Sequence, residues 1–129
     1  MNLRSLLHTV RRFIAWAVLP ALLVVVYGEL SHAPFFGEVE FNIWDKAQHF
    51  TAYFGLALMT TIAVRADRRA LWWALGLVVL GGLLEILQGL TGRDADLFDE
   101  FANTLGVITG LAIGWAGITL LKARKLIEP

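Results

Sequence analysis

Four apolar runs constrain this chain more than any other feature. They cover residues 13–30 (FIAWAVLPALLVVVYGEL), 47–64 (AQHFTAYFGLALMTTIAV), 71–90 (LWWALGLVVLGGLLEILQGL) and 103–121 (NTLGVITGLAIGWAGITLL). A helix needs roughly 20 mainly apolar residues to cross the hydrocarbon core of a bilayer. Each run is close to that length and is bounded by charge. None alternates polar and apolar residues as a membrane strand would. A soluble bundle is the competing reading, but 57% of the residues are hydrophobic and the mean hydropathy is +0.64. A soluble core built from 129 residues could not absorb that much apolar surface. The expectation is an all-α membrane protein, a single domain over residues 1–129 with four transmembrane helices.

The distribution of charge predicts the orientation. Arg4, Arg11 and Arg12 precede the first run, Arg65, Arg68 and Arg69 stand between the second and third, and Lys122, Arg124 and Lys125 follow the fourth. The other two connections are acidic, with Glu29, Glu38, Glu40 and Asp45 in one and Asp94, Asp96, Asp99 and Glu100 in the other. The positive-inside rule then places both termini in the cytoplasm. The first run also resembles a signal peptide that ends in a small-residue "SHA" at Ser31–Ala33. It exceeds the ~7–15 residues of a usual signal-peptide core, so an uncleaved helix is expected. Pro20 lies inside that helix and should kink it. In the first outer connection, Phe35, Phe36, Phe41 and Trp44 suit a segment resting at the interface.

Overall charge is balanced, with 11 basic and 11 acidic residues. This argues against a nucleic-acid binder that works through a basic surface. The absence of cysteine excludes disulfides, thiolate chemistry and Cys-ligated metals.

The informative polar residues lie at the outer ends of the runs. Asp45, His49 and Tyr53 are spaced i, i+4, i+8 and share one helix face; Asp45 is also placed to cap that helix. Glu85 and Gln88 are one turn apart on the third helix. Glu85 lies about 15 residues in from the basic side, or ~22 Å at 1.5 Å per residue, so it falls within the membrane. A carboxylate at that depth costs roughly 2.5–3.5 kcal/mol unless it faces the bundle interior and finds a partner. On the fourth helix Asp99, Asn103, Gly106 and Gly110 share a face, and Gly106, Gly110 and Gly114 form a small-residue stripe suited to close packing, within the chain or between copies in a homo-oligomer. By the predicted topology these groups meet at one level and line a shared outer cavity.

These residues resemble the VanZ-like membrane proteins. "DKAQHFTAY" (residues 45–53) is similar to that family's D-K-x-x-H-x-x-x-Y segment, and "EILQ" (85–88) to its E-x-x-Q. "RDADLFDEFANTLG" (93–106) is similar to its R-…-D-x-x-x-N-x-x-G segment through Arg93, Asp99, Asn103 and Gly106. The motifs occur in the family's order over about residues 44–114. Thr91 and Gly92 stand where a proline often precedes the arginine. The resemblance implies a multi-pass protein of the bacterial inner membrane and cell envelope, in a family named for glycopeptide resistance. It implies no defined reaction.

Three functional readings follow. In the first, the cavity binds an anionic lipid or lipid-linked envelope precursor, with Lys46 and Arg93 holding its charge and Tyr53, Gln88 and Asn103 placing hydrogen bonds. In its catalytic version, His49 oriented by Asp45 acts as acid or base, with Glu85 and Asp99 as further candidates. In the second, the cluster is structural: Glu85 pairs with Arg93 or Lys46, and Asn103 bonds to Gln88. Interhelical polar contacts in bilayers average only ~0.6 kcal/mol, which makes so large a cluster a costly way to join helices. The third is a metal held by His49, Asp45, Glu85 and Asp99. The sequence has no HExxH-type ligand spacing, and Lys46 and Arg93 would oppose a cation, so neither metal nor cofactor is expected.

Overall fold

The computed structural model describes residues 2–31, 42–90 and 96–127, which form four helices: α1 (Leu3–Leu30), α2 (Asn42–Ala63), α3 (Arg68–Leu90) and α4 (Leu97–Ala123). The apolar runs therefore sit inside longer helices. Polar ends extend them, and local caps close two of the starts. The Asn2 side chain accepts the Ser5 N–H at 2.8 Å, and the Asp96 side chain accepts the Phe98 N–H at 2.9 Å. These bonds satisfy backbone donors that the first turn of a helix leaves open. Asp45 is not a cap, because α2 begins at Asn42 and Asp45 lies in its first turn. A carboxylate there is favoured by the positive end of the helix dipole. Pro20 stands within an unbroken α1.

Three of the helices, α1, α3 and α4, are long and apolar enough to cross a membrane. Their outward faces carry large apolar side chains such as Phe13, Trp16, Trp72, Leu90 and Ile108, a surface suited to lipid tails. At 22 residues, α2 is about 33 Å long but falls short of the others in apolarity. Its position explains this. It packs against all three other helices, so its polar groups can face protein. Thr60 and Thr61 are buried on it and bond back to carbonyls of their own helix, Leu56 and Ala57, so neither hydroxyl needs a partner elsewhere.

The α2–α4 seam is the main contact of the bundle, and the glycine stripe forms it. A Cβ at Gly106 would collide with the Phe50 carbonyl oxygen, one at Gly110 with the Phe54 carbonyl oxygen, and one at Gly114 would press on Thr61. Contacts advance together along both helices, so α2 and α4 run parallel, with α3 returning between them in the chain. The stripe is spent on packing inside the chain. An oligomer formed through it would have to displace α2.

By contrast, α1 packs on α2 and along part of α3 but does not reach α4. Only Val18 of α1 is buried.

Candidate functional site

At one end of the bundle the last turn of α1, the start of α2, the end of α3 and the start of α4 bring polar side chains together. The i, i+4, i+8 spacing of Asp45, His49 and Tyr53 puts the latter two into the interior; both are buried, with Tyr53 fully enclosed. Asp45, a turn nearer the helix start, keeps about half its side chain exposed (51%).

His49 is the hub. Its Nδ1 lies 3.1 Å from Asn103 Oδ1, within hydrogen-bond reach, and 3.7 Å from Glu29 Oε1. Its Nε2 lies 3.8 Å from Asp99 Oδ2 and 4.0 Å from Asp45 Oδ1. Asn103, fully buried, thus orients the ring from α4; Asp45 at 4.0 Å is too distant to do so by a direct hydrogen bond.

Lys46 donates to Asp96 Oδ2 at 2.6 Å and to Asp99 Oδ1 at 2.9 Å. These charge-assisted bonds join α2 to the start of α4. The Lys46 ammonium holds the Asp96 carboxyl below the usual carboxylate range, helped by the Phe98 N–H. Glu85 Oε2 accepts the Asp96 N–H at 3.2 Å, whereas Glu85 Oε1 is buried with no hydrogen-bond partner among the described residues. A buried, unsatisfied carboxylate oxygen is costly. Gln88 donates to the backbone carbonyl of Glu29 at 2.6 Å, and Tyr53 donates to Glu29 Oε2 at 3.3 Å.

The structure therefore brings Asp45, Lys46, His49, Tyr53, Glu85, Gln88, Asp99 and Asn103 into one network, with partners that differ from the expected ones. Lys46 bonds Asp96 and Asp99 rather than Glu85, and Asn103 meets His49 and Glu100 rather than Gln88. Arg93 and Asp94 lie outside the described residues, as do His32, Phe35, Phe36, Glu38, Glu40 and Phe41.

Two contributors were missed by sequence reasoning. Glu29 reads as a loop charge but sits on the last turn of α1 with its side chain 9% exposed, against His49 and Tyr53. Its place inside the first apolar run was the available signal. Glu100 bonds Asn103 Nδ2 at 3.4 Å and Thr104 Oγ1 at 3.2 Å, and fills the space beside Gly81.

Among the described residues, carboxyl groups outnumber basic groups: Glu29, Asp45, Glu85, Asp96, Asp99 and Glu100 stand against the Lys46 ammonium and the His49 imidazole. One ligand atom from each of Asp45, His49 and Asp99 lies within 4.8 Å of the others. Imidazole with carboxylates is a donor set for first-row divalent ions. Asp45 and His49 supply it from one face of α2 at i, i+4, and Asp99 joins them from α4; Glu85 of the expected set is not among them. Lys46, already on the second oxygen of Asp99, is the charge that opposes a cation there.

Comparison of the chain with protein-family models, with curated proteins and with solved structures finds no match.

Proposed function

We propose that this chain is a VanZ-like protein of the bacterial inner membrane. In this reading all four helices cross the bilayer, both termini are cytoplasmic, and the polar cluster at the outer end binds the head of a lipid-linked envelope precursor. The observation that carries the binding reading is Glu85. It is buried, at membrane depth in this reading, with one carboxylate oxygen unsatisfied among the described residues, a cost that packing alone would not retain. A ligand hydroxyl or amide N–H reaching Glu85 would satisfy it. The three basic clusters at the opposite end support the orientation, and α2, which is less apolar, is shielded from lipid on several sides by its neighbours.

The excess of carboxylates refines the ligand. A sugar or peptide head offering hydrogen-bond donors fits the described residues without further charge. An anionic lipid phosphate needs its charge balanced, by Arg93 or by a divalent ion on Asp45, His49 and Asp99. The convergence of those three side chains favours the ion as a second reading. Turnover at such a head would use His49 as the acid or base, since it meets residues of α1, α2 and α4.

The test is lipid mass spectrometry of the detergent-purified chain. The reading expects an enriched polyprenyl-linked species in the wild type that is lost in His49→Ala. If EDTA strips it and added zinc or magnesium restores it, the bridging ion is supported. A wild-type lipid profile identical to that of the host membrane, and unchanged in the variant, overturns the binding reading. A C-terminal fusion to a reporter active only outside the cytoplasm tests the topology and should be silent.

A further inference from the structure

The opposite end of the bundle holds a second feature, independent of the polar cluster. Because α1 does not pack on α4, a cleft of about 740 Å³ opens between them, closed at the back by α2. Its floor is apolar, formed by Ile14, Leu58, Ile62 and Ile118 among others. Its rim carries Arg4, Arg11, Arg65, Lys122 and Lys125, and no acidic residue lines it among the described residues.

Two of these cations serve the fold through the backbone. Arg4 donates to the Lys125 carbonyl at 3.0 Å across the mouth, and Arg11 to the Ala63 carbonyl at the end of α2, also at 3.0 Å. Neither bond neutralises charge. Lys122 and Lys125 make no ion pair among the described residues; Asp67, within electrostatic range of Lys122, is bonded to Arg69 at 2.7 Å.

Two further details point to a ligand. Arg65 and Lys125 occupy the left-handed region, with φ of 61° and 56°, each just past a helix end closed by a six-residue bond (Ala66 N–H to Thr61 O, Leu126 N–H to Leu121 O). That position favours glycine. Of the three non-glycine residues in this region among the described residues, Ala66 (φ 52°) being the third, these two are cations and line the cleft. In the floor, a Cβ at Gly117 would meet nothing within 4 Å, so this glycine leaves space that packing does not require.

We infer that this cleft is a binding site for an anionic phospholipid, whose phosphate sits among Lys122, Lys125 and the rim arginines while an acyl chain lies along the apolar floor over Gly117. A free phosphate would use the rim but not the floor; a neutral lipid would use the floor but not the rim. The combination selects a lipid with a negatively charged head. Each basic residue facing an anionic head contributes about a fivefold gain in affinity.

The test is native mass spectrometry of the full chain in detergent. It is titrated with dioleoyl-phosphatidylglycerol or dioleoyl-phosphatidylcholine, and with glycerol 3-phosphate as the head alone. Phosphatidylglycerol should be retained about tenfold or more over phosphatidylcholine, and glycerol 3-phosphate should not compete. Lys122→Gln and Lys125→Gly should each lower retention about fivefold, the latter without lowering the melting temperature, since glycine suits its backbone. Gly117→Leu should weaken retention by filling the floor, with charge unchanged. Glu85→Gln should leave retention intact, which separates this cleft from the polar cluster. Equal retention of both lipids, effective competition by glycerol 3-phosphate, wild-type retention in all the cleft variants, or loss only in Glu85→Gln would each overturn the proposal.

Discussion

At one end of the bundle Lys46 is closed in by Asp96 and Asp99, and His49 by Asn103 and three carboxylates. At the other, half-buried Lys122 and exposed Lys125 stand over an apolar cleft that no acidic side chain lines among the described residues. Both ends hang on the same α2–α4 seam, yet they use charge in opposite ways. The polar cluster spends most of its charge internally, and Glu85 Oε1 has no hydrogen-bond partner among the described residues. In the basic cleft, Lys122 and Lys125 make no ion pair with a described residue. Altering the internally paired members of the cluster should therefore disturb folding as well as binding, whereas altering Glu85 or the cleft should disturb binding alone.

The seam common to both ends gives the largest expected effect. Gly106→Ala drives a Cβ into the Phe50 carbonyl oxygen, backbone that cannot move aside, and should cost about 3 kcal/mol or more. Gly117→Ala, on the same helix face but beyond the close approach of α2, with open space around it, should instead stabilise by roughly 0.5–1 kcal/mol through removal of a helical glycine. Thermal unfolding in one detergent compares them; similar midpoints would mean that the stripe is not the seam. Next comes the cluster. Asn103→Leu deletes the fully buried partner of His49 and should destabilise by about 1–3 kcal/mol, a loss absent in a loosely hydrated cavity.

A smaller effect separates the ends by pH. The Asp96 carboxyl is held below its ordinary value by Lys46, and the unfolded value is about 3.9. Its contribution is therefore complete above that value and lost as pH falls through the lower folded value. Melting temperatures measured from pH 6 to pH 3 should decline more steeply in the wild type than in Asp96→Asn; parallel curves would show that the Lys46–Asp96 bond carries no stability. Last, Lys125→Gln at the open end should shift stability by no more than about 0.5 kcal/mol, and a large loss there would erase the contrast between the ends.

Much of this contrast was legible before folding. Run lengths marked four helices, and depth along the third marked Glu85 as a residue in need of a partner. The i, i+4, i+8 spacing selected His49 and Tyr53, because a helix face is a local property. What stayed hidden depends on which helices touch. Gln88 meets the Glu29 backbone 59 positions away, a pairing that no spacing encodes. The same depth arithmetic applied to Glu29, at the end of its own apolar run, would have placed it beside His49. The gap between α1 and α4 has no sequence signature; it arises because α1 packs on α2 and α3 only. Helix ends ran beyond the apolar runs because Asn2 and Asp96 close them with single side-chain bonds.

The central claim is that Glu85 is kept for a ligand rather than for the bundle. Glu85→Gln keeps the shape and removes the charge, and two quantities read from the same purified sample decide it: the melting temperature and the amount of co-purifying polyprenyl-linked lipid. The account predicts an unchanged or higher melting temperature with the lipid lost. A lower melting temperature with the lipid retained would contradict it and leave Glu85 as part of the packing alone.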